Sequence, residues 1–323
     1  FLTSSSDGTI KQWDLEGDLQ QTLAFANRDR GEAWAVAVSP QGDMIAAAHN
    51  DGSLSLWQED GTLQQTIAAH QDVVFDVAFS GDGSEIATAS WDGSVKLWNA
   101  DGTLQQTIIH DQERLHAIAF SPDRQWLAAV GQDSTLRLWR RQSDERFPPH
   151  PQWQLTGHTD NIFDVAFSAD GQTIATAGED MTVKLWSVDG DLITTLNRHQ
   201  NRVNAVTFIP PNAGLPESWG PMVASAGWDQ VINLWSLDGT LRLSLEGHEE
   251  RVLDIGFLPA TGNQGPLLIS SSLDNNAILW PLDQLLTSDQ IVRYSCQWIQ
   301  DYVQTQPEAK AQLEHCRSLS SAP

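Results

Sequence analysis

A chain of 323 residues with 42 Asp and Glu against 18 Lys and Arg carries a formal net charge of −24. That is the wrong sign for neutralising nucleic-acid phosphates or for settling on an anionic membrane, and it suits either solubility in a crowded cytosol or a basic partner. Apolar runs such as Met44–Ala48 are far too short to span a bilayer, no charged segment leading into an apolar core opens the chain, and two cysteines are too few for a disulfide scaffold, which favours a reducing cytoplasm.

From the first residues onward one pattern returns. A β-like run closes on tryptophan at TIKQW (Trp13), SLSLW (Trp57), SVKLW (Trp98), TLRLW (Trp139), TVKLW (Trp186), VINLW (Trp235) and NAILW (Trp280), at spacings of 44, 41, 41, 47, 49 and 45 residues. A repeat of that length is one supersecondary unit in seven copies. Phe1–Ser5 aligns with the second strand of the later copies, so the first copy is incomplete in this chain, and upstream sequence is expected to complete it. The copy from Gln64 to Trp98 shows the unit best. TLQQTI is an outer strand, AAHQD leads into VVFDVAFS, GDGS is a turn, SEIATAS is a second run, WDG is a tight turn and SVKLW is a third run. Short β-branched and aromatic runs between Gly, Asp, Asn and Ser turns read as antiparallel strands, four to a unit, and radial repetition of such units protects their edges.

The His before the inner strand, the turns at Ser121–Arg124 and Ser168–Gly171, the turn Asp and the closing Trp resemble the WD-repeat β-propeller family over residues 1–283. The resemblance implies an all-β, seven-bladed disc around a central channel, with the first blade incomplete. It also implies a buried network within each blade, carried over here to His70, Thr88, Asp92 and Trp98; His158, Thr176, Asp180 and Trp186; His199, Ser225, Asp229 and Trp235; and His248, Ser270, Asp274 and Trp280. Two copies depart from it. The second has Ala47 at the hydroxyl position and no His near Arg28–Gly31; the fourth has Ala129, and its His110 is one residue out of place.

Ser/Thr, His and Asp together mimic a hydrolase triad, but a trio that recurs four times beneath a Trp serves structure rather than catalysis. The remaining His are scattered without metal-ligand spacing, and neither a phosphate loop nor a dinucleotide fingerprint is present, so the sequence points to no enzyme, no metal and no cofactor. Function is expected at the rim. The family's contact positions, five after the His and just before the turn Asp, place Trp34, Phe75, Trp91, His116, Phe163, Glu179, Trp228 and Leu273 around the channel mouth. An aromatic collar there would anchor a protein or peptide partner. Asp76, Asp164, Glu179 and Asp254 would give it a negative rim suited to a basic partner.

Insertions at Arg140–Trp153, Pro210–Pro221 and Pro259–Pro266 lengthen loops on the opposite face. Past residue 283 the pattern changes. Thr287 or Ser288 caps a helix over Asp289–Val303 whose stripe of Ile291, Tyr294, Trp298, Ile299 and Tyr302 would pack on the disc, giving a short C-terminal helical tail over 284–323. That tail, with Cys296 and Cys316, resembles the segment after C-terminal propellers in large bacterial multi-domain proteins, some with a signalling NTPase upstream. The resemblance implies a longer polypeptide in which this chain docks partners or senses a ligand.

Overall fold

The computed structural model describes residues 1–23, 32–109, 113–211, 213, 215, 219–260 and 265–285. Arg28–Gly31, His110, the expected C-terminal helix and both cysteines lie outside them. The described residues form seven small antiparallel sheets, one per repeat, in a β-propeller.

Each blade is a meander in which sequence order equals spatial order. In blade 3 the inner strand Val74–Phe79 pairs with Glu85–Ser90, then Ser94–Asn99, then the outer strand Leu104–Ile109. The tight turn into the outer strand is set locally. The Asp101 carboxylate accepts the Thr103 amide at 2.9 Å, and Gly102 adopts a φ of +82°, where a side chain would be strained. Among the described residues blade 1 consists of Leu2–Ser4, Ile10–Trp13 and Leu19–Leu23, without an inner strand, and blade 7 of Val252–Leu258, Leu267–Ser272 and Ala277–Pro281, without an outer one.

The core lies between blades rather than within them. Trp98 packs among Leu54, Leu56, Ala46 and Ala48 of blade 2, and Trp139 among Ala87, Ala89, Val95 and Leu97 of blade 3. Trp186, Trp235 and Trp280 repeat this against blades 4, 5 and 6. Alanine in the second strands lets a flat indole slide against the neighbouring sheet. A buried indole removes about 200 Å² from water, worth at most about 5 kcal/mol.

The first insertion is more than loop decoration. Phe147 turns back and is buried beside Phe120 and Trp139 in the seam between blades 3 and 4, its carbonyl accepting from Gln106 Nε2 at 2.6 Å. In the second insertion Ala213 is buried, and Leu215 and Trp219 pack on the blade 6–7 core.

Candidate functional site: the top rim and the chemistry beneath it

The loops that enter the inner strands, and the turns between second and third strands, converge on one face, here the top. Beneath it, four blades hold the same polar chain. In blade 3, Trp98 Nε1 donates to Thr88 Oγ1 at 3.0 Å, Thr88 lies 2.8 Å from His70 Nε2, and His70 Nδ1 lies 3.0 Å from Asp92. Indole can only donate and an ionised carboxylate can only accept, so a single direction, Trp to Thr to His to Asp, satisfies every atom. Burial alone would push the Asp92 carboxyl up. Hydrogen bonds from His70, Ser94 and the Gln71 amide outweigh it and hold the group well below the usual carboxylate range.

Blade 5 joins Trp186, Thr176, His158 and Asp180 at 2.9, 2.8 and 2.9 Å. Blade 6 joins Trp235, Ser225, His199 and Asp229 at 2.9, 2.8 and 2.8 Å. Blade 7 joins Trp280, Ser270, His248 and Asp274 at 2.9, 2.8 and 2.7 Å. Every hydroxyl in these chains belongs to a fully buried Ser or Thr, out of reach of a substrate.

The departing blades find substitutes the sequence reading missed. In blade 2 the hydroxyl moves to the cross-strand partner of Ala47: Ser55 Oγ accepts from Trp57 Nε1 at 3.0 Å and lies 2.8 Å from His49 Nε2. In blade 4 the residue opposite Ala129 is Arg137, buried and ion-paired with Asp133. Blade 1 keeps only Trp13 Nε1 on Thr3 Oγ1, at 2.9 Å.

On the rim, aromatic rings join blade to blade. Trp34 lies 4.8 Å from Phe75 and 5.9 Å from Trp91, Phe75 lies 5.1 Å from His116, and His116 stacks on Phe163 at 5.0 Å. Exposure is graded along this arc. Trp34 and Leu273 stand in solvent at 41% and 49% exposed, Phe75, Trp91, Phe163 and Trp228 are half-buried, and His116 is buried. His116 Nδ1 donates to the Ile162 carbonyl at 3.0 Å, so the imidazole ties blade 4 to blade 5 instead of standing ready for a partner. Burial, helped by the charges of Arg202 and Arg114, depresses its basicity.

Of the negative rim expected from Asp76, Asp164, Glu179 and Asp254, the structure leaves Asp254 exposed and the other three half-buried, and it commits the three aspartates to backbone amides. A β-bulge at this point in each inner strand turns the aspartates onto backbone. Asp76 accepts the Val77 amide at 2.8 Å and the Ile118 amide of the next blade at 2.8 Å; Asp164 accepts Val165 at 2.7 Å and Val206 of the next blade at 2.7 Å. Asp254 accepts Ile255 at 2.8 Å. The three alternate with Ala35, Ala117 and Ala205 around the axis, and Asp76 and Asp164 each serve the bulge amides of two blades. Glu179 remains on the rim, accepting from Asn161 Nδ2 at 2.6 Å. Guanidiniums project there as well. Arg114 lies 4.4 Å from the Trp91 ring, Arg202 4.0 Å from Phe163 and 3.8 Å from Trp228, and Arg251 3.8 Å from Trp228.

Burial, opposed by the two amides, pushes Asp76 up to about 7; burial together with the Asp254 charge pushes Asp164 up to about 8. Asp254 is raised as well: the residue is exposed, but the surrounding protein desolvates its carboxyl. Both folded values lie above the unfolded ones, so the folded chain binds more protons from about pH 4 to 8. The stability these carboxyls contribute is therefore present at low pH and lost as pH rises through 7 and 8. An Asp164→Asn chain should lose its share of that slope. Its melting temperature should change less between pH 6 and 8.5 than that of the parent, by the equivalent of about 1–2 kcal/mol after solvent screening. Equal slopes in scanning calorimetry would show that Asp164 titrates normally.

Seven radial sheets, indoles wedged between them and polar chains satisfied within the blades define a tandem-repeat β-propeller whose loops and outer strands face outside molecules. The family model for the WD domain, G-beta repeat (WD40), matches residues 20–58, 61–99, 102–140, 149–187, 190–236 and 239–281, and the chain belongs to that family. WD40 propellers generally serve as protein-interaction scaffolds, typically without catalysis. No curated protein is matched by the chain. Among the described residues no helix is long and apolar enough to cross a membrane, and no group of three His, Cys, Asp or Glu is placed to hold a metal.

Proposed function

We propose that this chain is a non-catalytic docking module that binds a protein or peptide across the top rim. One observation carries the reading: large apolar side chains that the core does not require, Trp34, Leu253 and Leu273, stand exposed around a platform of stacked aromatics. Rigid aromatics beside a polar edge supply the anchors that dominate interface energetics. Two open grooves, one beside Asp43, Met44 and Gln65 and one beside Asn99, Gln105 and Arg146, lie away from the rim, and neither encloses a space as a small-ligand site does. The global charge of −24 disfavours nucleic acid and anionic membranes. The resemblance of the tail beyond residue 284 to segments that follow propellers in large bacterial multi-domain proteins supports a cytoplasmic setting in which this is the docking end of a longer polypeptide.

The test is affinity capture from native lysate with the parent chain, a Trp34→Ala variant and a Leu104→Ala control, Leu104 being 47% exposed on an outer strand. Trp34→Ala should lose the captured partner at least tenfold, with its melting point within about 2 °C of the parent. Equal capture by all three would remove the rim from consideration.

A further inference from the structure

We propose that the top rim is selective for an acidic peptide segment, whose Asp or Glu carboxylates are clamped by Arg202 and Arg251, with Arg114 as a third contact. The inference rests on the docking reading and supplies the partner chemistry at the same face.

Of the 18 Lys and Arg, several are committed elsewhere: Arg124 and Arg141 to Glu85, Arg137 to Asp133, Lys184 to Thr195 and Arg242 to Ser236. Arg114, Arg202 and Arg251 occupy the same place in their repeats, the residue just before the inner strand, and all three lie on aromatic rings of one rim. Among the described residues none of the three has a carboxylate within 4.0 Å. Glu113, Glu249 and Glu250 in the same loops are exposed; Glu179, which accepts from Asn161, is the acid whose charge reaches Arg202, and the charge of Arg251 opposes it.

Stacking leaves a guanidinium's flat face on the ring and its N–H edge outward, the edge that takes a carboxylate bidentately. Arg202 is further fixed because its Nε donates to Asn204 Oδ1 at 2.7 Å, leaving its terminal nitrogens free to donate. Arg202 and Arg251 each lie 3.8 Å from the one Trp228 ring, so their guanidinium carbons are within about 8 Å of each other. The two like charges held together on an indole repel, and a bound anion relieves that repulsion. Donors exceed acceptors here in another way too: the buried indole N–H groups of Trp91 and Trp228 have no acceptor among the described residues.

A short acidic segment fits better than a polyanion, because the field of the whole molecule repels an extended negative chain, while a few carboxylates at the rim meet the local cations within a Debye length. Leu273, whose amide donates to the Arg251 carbonyl at 3.0 Å, and Trp34, which lies against the Trp91 that carries Arg114, offer apolar contacts to residues flanking the acids.

The experiment is selection of a random twelve-residue displayed peptide library on the parent protein. Enriched peptides are then synthesised and measured by fluorescence anisotropy against the parent, R202Q/R251Q, R202K/R251K and an R140Q control. Arg140 lies on Trp126, away from this rim. The proposal expects ligands enriched in Asp and Glu whose affinity falls at least tenfold in R202Q/R251Q, is partly kept in R202K/R251K, is unchanged in R140Q and weakens with salt. Circular dichroism verifies that each variant is folded. Enriched ligands without acidic residues, or acidic ligands that bind R202Q/R251Q as tightly as the parent, overturn it. A set of non-acidic ligands that Trp34→Ala releases would overturn this inference alone and leave the docking function standing. A library from which nothing binds would take both down.

Discussion

A Glu85→Ala variant is expected to be less stable than the parent chain by about 3–5 kcal/mol. Glu85 opens the second strand of blade 3 and is almost fully buried. Its carboxylate receives Arg141 at 2.5 and 3.2 Å and Arg124 at 3.0 Å, both from blade 4. Arg124 has a second anion in Asp82, at 2.5 Å, but Arg141 is itself buried, with only backbone carbonyls and a 4.0 Å approach to exposed Glu145 left to it. Removing Glu85 strands that charge in the seam where Phe147 packs under the same guanidinium. Denaturant unfolding of Glu85→Ala and of a Glu85→Met/Arg141→Met pair separates the possible costs. The double variant should recover most of the loss, since a buried pair is worth little more than well-packed apolar groups of similar size. If the single variant loses under about 1 kcal/mol, water reaches the seam and the ion pair is incidental.

The second large effect is expected from Thr176→Val. Valine keeps the shape of threonine but removes the oxygen on which Trp186 Nε1 and His158 Nε2 converge. Two buried polar atoms then lack partners, at about 1–3 kcal/mol each, so a loss of about 2–4 kcal/mol is expected. Ser55→Ala in blade 2 should cost a comparable amount, because Ser55 holds the same junction between Trp57 and His49. A Ser55→Ala variant indistinguishable from the parent in melting temperature would show that blade 2 has no equivalent of the network.

The disc was legible in the sequence because its defining residue is both large and periodic. A Trp at the end of every third strand, followed in four of the seven copies by an Asp-Gly turn, announces a packing unit whatever lies between. The polar chains of blades 3, 5, 6 and 7 could be read because their members sit at fixed strand positions. In blades 2 and 4 the reading stopped at Ala47 and Ala129, since pattern matching follows one strand at a time. Ser55 and Arg137 lie directly across the hairpin, and only strand register brings them to the vacated place. The aspartates of the inner strands misled for a different reason. Alternation along a strand points them at the rim, but a bulge at that residue rotates the carboxylate onto two amides. Their alternation with Ala35, Ala117 and Ala205 was visible, and a strict exchange between acid and methyl is what a shared capping group would leave behind. The arginines escaped notice because a chain this acidic draws attention away from where its few cations gather.

The two kinds of inner strand also give the disc two kinds of joint. Blades carrying the aspartate reach forward with an acceptor, to Ile118 and Val206, whereas blades 4 and 6 reach forward with a donor, His116 to the Ile162 carbonyl and Asn204 to the Leu253 carbonyl. Blades 2 to 7 keep strict time, aspartate alternating with alanine, so each described seam between their inner strands brings one kind of joint against the other, and the repeats differ in pairs although their strands are alike.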